Sequence, residues 1–155
     1  MSSIAEQLKN LKINTVKTSN GISWKYILKN EVDRLKKYIQ DEIDLMYMSY
    51  SPKVYHRTGL FRQSLFVDDT VDISANGKQL TMHVKFNDSL AFHNSLWHGS
   101  SGYLPILWSE GWAWKDQSNP IERFTYWGGN GFLQAAIDKY NQDNPYGIIV
   151  KIEKY

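Results

Sequence analysis

The chain has 155 residues, a formal charge of +2 and no cysteine, which suits one domain and excludes a disulfide framework, a thiolate metal site and a cysteine nucleophile. Hydrophobic residues make up 42% and charged residues 22%, so a packed core is expected rather than disorder. No apolar run approaches the roughly 20 residues of a bilayer span, and the start, Met1-Ser2-Ser3-Ile4-Ala5-Glu6, has neither the basic nor the apolar part of a signal peptide. The expectation is a chain with no membrane partner, made in a reducing compartment.

The small net charge gives no reason to expect recognition of a specific nucleic-acid sequence, but it is unevenly spread. Residues 1–57 hold 10 basic and 6 acidic side chains, and residues 58–155 hold 8 and 10. Such polarity suits docking between copies. Aromatic residues reach 14%, with six Trp and ten Tyr, a composition that favours interfaces.

In chain order, residues 1–21 read as a short arm ending in a polar connector. Trp24, Leu28, Val32, Leu35, Ile39, Ile43 and Met46 then recur every three or four positions, predicting a long helix over 23–49 with Ser23 as cap and Pro52 as stop. Its solvated side carries Lys25, Lys29, Asp33, Lys36, Lys37, Asp41 and Glu42. After a turn-prone stretch, apolar residues flank Asn76-Gly77, and Leu80, Met82, Val84 and Phe86 alternate with Thr81, His83 and Lys85. This predicts a β-hairpin over 66–86. Residues 87–128 follow no period and are expected as an aromatic loop region with a helical turn near 104–111. A second helix is expected over 131–142, capped by Asn130, with Phe132, Leu133, Ala136, Ile137 and Tyr140 inward. The alternation Ile148, Val150, Ile152 predicts a last strand over 146–153. The sum is an α+β fold: a small, mainly antiparallel sheet of hairpin plus C-terminal strand, carrying the long helix and a second shorter one.

No catalytic constellation, metal site or cofactor cradle emerges. His93 and His98 are five apart, off the i, i+4 spacing of a helical metal pair, so a zinc hydrolase on His83, His93 and His98 is the weakest of the readings. Asp68, Asp69 and Asp72 lack the spacing of a calcium loop and read as charges that blunt a strand edge. Gly128-Gly129-Asn130-Gly131 lacks the Lys and hydroxyl residue of a phosphate loop. The aromatic cluster is harder to absorb into a core: Trp97, Tyr103, Trp108, Trp112, Trp114, Phe124, Tyr126 and Trp127 lie within 31 residues. About half are expected in the core, and the rest at a subunit interface or on a sugar platform.

The stretch Tyr55-His56-Arg57-Thr58-Gly59-Leu60-Phe61-Arg62-Gln63-Ser64 resembles the Tyr-x-Arg-Thr-Gly-x-Leu-x-x-Ser signature of the small neck and tail-completion proteins of tailed bacteriophages. In that family a long helix precedes the signature, a hairpin follows, and a helix and strand close the chain, which is the order read here. Gly131-Phe132-Leu133-Gln134-Ala135-Ala136 is similar to the family's Pro-Phe-Leu-x-Pro-Ala stretch, with Gly131 and Ala135 in place of the prolines. Leu107-Trp108-Ser109-Glu110-Gly111 echoes its Tyr-Ala-x-x-x-Glu-x-Gly segment. The resemblance implies a non-enzymatic structural protein of the virion, at the head–tail joint, that forms a homo-oligomeric ring and meets other neck and tail proteins. Within it, Tyr55, Arg57, Thr58, Gly59 and Ser64 are expected to form a structural turn that sets the long helix against the sheet.

Two complementary patches are needed for a ring of head-to-tail contacts. The expected ones are the basic helix (Lys25, Lys29, Lys36, Lys37) and the aromatic region or hairpin of the next copy, with Trp108, Trp112, Trp114 and Trp127 as anchors. The alternative is a carbohydrate- or cell-wall-binding module that uses exposed Trp.

Overall fold

The structure, a computed structural model, describes residues 17–49, 59–94, 101–110, 112–115, 124–127 and 129–153. Its elements are α1 (Trp24–Ser49), α2 (Leu60–Gln63), β1 (Leu65–Ile73), β2 (Leu80–Phe86), α3 (Asp88–Ala91), β3 (Phe92–Asn94), β4 (Ser101–Tyr103), α4 (Leu104–Glu110), β5 (Trp112–Lys115), β6 (Phe124–Trp127) and α5 (Phe132–Gln142). This is a small α+β fold in which the long helix packs on the β1–β2 hairpin and on α5.

The apolar stripe of α1 becomes the core: Leu28, Val32, Ile39, Ile43 and Met46 are buried, together with Ile27. Ile39, Ile43 and Met46 meet Phe61, Leu65, Phe132 and Ala136, with Leu35, Val84, Phe86, Leu133 and Trp108 packed around them. Phe61 stands at the centre, its ring stacked on Phe86 (centroids 5.6 Å apart) and edge-on to Phe132 (5.9 Å). Both arrangements suit the ring quadrupoles. Helix α1, the hairpin and α5 therefore converge on one phenylalanine.

The hairpin falls where its alternation predicts, but its turn differs. An Asn-Gly type I′ turn requires positive φ at both residues. Here Gly77 has φ 69°, while no described residue other than glycine has positive φ. The connection instead spans residues 74–79, closed by Ser74 N to Gln79 O (2.9 Å) and Gly77 N to Ser74 O (2.8 Å). Asn76 Oδ1 accepts from Ser74 Oγ and Lys78 N. Between Asp68 and Asp72 the register of β1 against β2 shifts, a bulge on the acidic strand.

Two expectations are corrected. The helical turn expected near 104–111 is α4, but the rest of 87–128 is not all loop: its described residues also form α3 and two short antiparallel pairs, β3–β4 and β5–β6. The C-terminal strand over 146–153 does not form, and the sheet beside α1 is the two-stranded hairpin alone. The reason is local. Asn144 takes both backbone groups of Ile148, its Oδ1 accepting from Ile148 N (3.0 Å) and its Nδ2 donating to Ile148 O (2.8 Å). Gly147 turns through φ 62° just before. The chain past α5 is thereby bent away from any ladder, its Trp24–Tyr146 ring contact holding it beside the start of α1.

Candidate subunit interface

The signature stretch is visible from Gly59 onward; Tyr55, Arg57 and Thr58, like His56, lie outside the described residues. Gly59 has φ 72°, a left-handed conformation that L side chains rarely adopt, and opens the single turn of α2. Ser64 closes that turn. It is fully buried, its Oγ donating to Phe61 O (2.6 Å) and its N to Leu60 O (2.8 Å), while its own carbonyl accepts from Asn87 N (2.7 Å) beyond β2. Between these two residues, Phe61 fills the core and Arg62 Nε donates to Asp44 Oδ1 of α1 at 2.7 Å. The described part of the signature thus joins helix, hairpin entry and hairpin exit.

The lysines divide. Lys25, Lys29 and Lys36, four and seven residues apart, run along one side of α1, with Lys37 about 100° further round. Lys29 Nζ lies 3.7 Å from Asp69 Oδ1 of the bulge in its own chain. Lys25 and Lys29 border a shallow depression of about 210 Å³ that Asp69, Val71 and Met82 complete. Lys36 is half-buried. Lys37 is exposed in a row with Asp33 and Asp41, so that part of the helix surface has mixed charge. The same row ends in Leu45 and Met48, 46% and 75% exposed. The helix surface therefore offers basic, mixed and apolar sections in sequence.

Of the four tryptophans expected at an interface, Trp108 is half-buried against the core. Its carbonyl accepts from Asn130 N and that of Ser109 from Gly131 N, both at 3.0 Å. These bonds use the last carbonyls of α4 to anchor the start of α5. The cap position of α5 is held by Gly131, at φ 64° and without a side-chain capping bond; the expected cap, Asn130, stands one residue earlier in the chain, its Oδ1 accepting from Phe132 N (3.2 Å). Trp112 and Trp127 are register partners across β5–β6, and Trp114 sits opposite Thr125. Trp97 and His98 lie outside the described residues.

His83 Nε2 stands 3.6 Å from Asp72 Oδ2, and Lys85 Nζ donates to Asp68 Oδ2 at 2.7 Å. The Lys85 bond, with that from Thr70, holds the Asp68 carboxyl well below the usual carboxylate range. No group of His, Asp and Glu among the described residues is placed to hold a metal ion.

One cluster has no counterpart in the sequence reading. Glu31 is buried in α1, and its Oε2 accepts from Tyr140 Oη (3.0 Å) and from Arg34 Nη2 (2.5 Å). Arg34 reaches on to Asp143 Oδ2 (2.9 Å) and to the Asp143 carbonyl, with Cζ 4.9 Å from the centre of the Tyr140 ring. Burial opposes the Arg34 charge, but Glu31, Tyr140 and Asp143 outweigh it and hold its pKa above the ordinary value. Burial and the bond to Glu31 push the Tyr140 phenol up to about 12. The cluster clamps α5 to α1. Its one sequence trace is that Glu31 falls three residues after Leu28 and four before Leu35, on the apolar stripe itself.

Family models, characterised proteins and solved structures offer no significant match to this chain.

Proposed function

We propose that this protein is a structural subunit of a tailed-phage virion, of the neck or tail-completion type, which joins head and tail as a homo-oligomeric ring. The observation that carries the proposal is the behaviour of the signature stretch. Gly59 and Ser64 bracket one turn in which Arg62 binds α1, Phe61 packs against α1 and the hairpin, and the Ser64 carbonyl holds Asn87 beyond β2, so the described residues of the stretch tie helix to hairpin. The order of long helix, hairpin and second helix agrees with the resemblance, whereas the closing strand it implies does not form. Exposed Tyr26, Leu45 and Met48 along α1 give the subunit apolar surface for a neighbour. In this reading the virion is the place of function, and the partners are further copies and the adjoining neck and tail proteins.

Mass spectrometry of purified particles tests the reading. The expected result is this chain in the virion at a fixed low copy number, proportionate to one ring. Its absence from particles made by cells that express it overturns the reading.

A further inference from the structure

Two groups of exposed apolar side chains stand at opposite ends of α1. At its start are Ile22 and Tyr26, the latter 63% exposed. The Trp24–Tyr146 ring contact brings Tyr146, also exposed, to the same place. Ile149, 81% exposed, follows three residues later, a stretch of chain of at most about 11 Å. At the other end Leu45 and Met48 share one side of the helix. The Arg62–Asp44 bond holds α2 against that end, and Leu60 at the start of α2 is exposed. Between the two groups the exposed row of the helix is polar: Asn30, Asp33, Lys37 and Asp41. At 1.5 Å per residue, Tyr26 and Met48 are about 33 Å apart along the axis.

The charges of α1 are sorted along the same axis. Residues 24–37 carry Lys25, Lys29, Arg34, Lys36 and Lys37 against Glu31 and Asp33, whereas residues 38–49 carry Asp41, Glu42 and Asp44 with no basic residue. This order opposes the helix macrodipole, which favours acids at the start and bases at the end. The first turn holds Lys25 and no acid, and the last turn holds no base. Part of the charge is met within the chain: Arg34 by Glu31 and Asp143, Lys29 by Asp69, Glu42 by Lys139 and Asp44 by Arg62. Lys25 stays exposed at one end, and Asp41, in the field of Arg62 and Lys139, at the other. The start of the helix thus keeps a positive excess and its end a negative one. A polarity that works against the helix on its own is one that a neighbour set end to end can use.

We infer that copies of this chain associate head to tail along α1: the end at Leu45, Met48 and Leu60 of one copy packs on the end at Tyr26, Tyr146 and Ile149 of the next. Tyr26 and Met48 are the central contacts, a ring against a flexible thioether. Asp41 of one copy lies on the same side as Lys25 of the next, which fixes the direction. Contacts between like ends would set Lys25 toward Lys25 or Asp41 toward Asp41, and the repulsion opposes them. The two surfaces differ, so the contact repeats from copy to copy and closes a ring where its rotation allows. The inference rests on the reading of the chain as a self-assembling subunit, and it places the contact at the helix ends rather than on the tryptophan strands.

Two full-length variants, each with one end made polar, test the contact: Tyr26→Gln with Ile149→Gln, and Leu45→Gln with Met48→Gln. All four residues are exposed, so both variants should melt as the wild type does. Under conditions in which the wild-type chain assembles, size exclusion with light scattering should find each variant monomeric. Their equimolar mixture should form pairs and nothing larger, because each keeps one intact end. Either variant assembling like the wild type, or a mixture that stays monomeric or builds full assemblies, overturns the contact. The charges give an independent reading. Lys25→Asp and Asp41→Lys should each weaken assembly, and one chain with both exchanges should recover it; no recovery overturns the contact. If the wild type assembles only in particles, incorporation is the readout, and entry of both polar-end variants at wild-type levels overturns the contact while leaving the structural-subunit reading intact. A chain that assembles head to tail in solution yet is absent from particles keeps the contact and overturns the virion reading. A wild type that neither assembles nor enters particles overturns both.

Discussion

At the residue scale, the fold depends on a few side chains whose environment departs from that of ordinary surface groups. Tyr140 is one. Its phenol is buried, donates to Glu31, and has a pKa raised from 10.0 to about 12. A proton-bearing form held more tightly in the folded state stabilises the fold fully below the unfolded pKa and ceases to do so as the folded pKa is passed. The contribution of Tyr140 is therefore complete below about pH 10 and lost between about pH 10 and about pH 12. Absorbance titration of the phenols should show one late class, absent from Tyr140→Phe. That variant also removes a hydrogen bond to a charged, buried carboxylate, and should lower stability by about 1.5–3 kcal/mol, read from the urea midpoint at unchanged m-value. Gly59 is the second case. A Cβ there would meet only Gln63 Nε2 at 3.7 Å, an ordinary contact, so the penalty lies in the backbone at φ 72°. Gly59→Ala should cost about 1–2 kcal/mol by the same measurement.

At the scale of the elements, the junction α2 binds the long helix to the hairpin through two unequal contacts. Phe61 is 4% exposed and touches rings from both sides, whereas the Arg62–Asp44 pair is about two-fifths exposed at each end. Burial outweighs surface charge here. Phe61→Ala should destabilise by about 3–5 kcal/mol and Arg62→Ala by less than about 1 kcal/mol. Thermal melts of both variants, with near-ultraviolet circular dichroism to report on aromatic packing, separate the two contributions. Elements with a sustained period were readable in advance: α1 from its stripe, the two hairpin strands from their alternation, α5 from its inner face. What escaped prediction was decided by side-chain contacts, distant in sequence at Glu31 and local at Asn144. Glu31 falls on the apolar stripe, but nothing near it in the chain shows that Tyr140, 109 residues later, pairs with it. The final strand pattern was read correctly as a pattern, but Asn144 occupies the backbone of Ile148 and the chain takes another course. The pairs β3–β4 and β5–β6 are three and four residues long, too short for alternation to distinguish them from loop.

At the scale of the whole molecule, the described surface is a sequence of different patches: lysines beside the bulged strand, an apolar end of α1 at Leu45 and Met48, and exposed Ile149 and Ile152 near the C-terminus. A subunit that meets its neighbours head to tail needs such unlike surfaces. Charges set the rate and register of such contacts and aromatic anchors their strength. Reversing Lys36 and Lys37 to Glu should slow assembly and alter its salt dependence, followed by light scattering. Trp112→Ala should weaken the assembled ring itself. Normal incorporation of both variants into particles would move the interface off these patches. The central claim, that this chain is a ring subunit at the head–tail joint, is tested most directly by cryo-electron microscopy of intact particles. The account predicts a ring of density at the neck into which copies of the 26-residue helix Trp24–Ser49, with its hairpin and α5, fit at regular angles. A neck fully explained by other chains, with no density for this one, would contradict it.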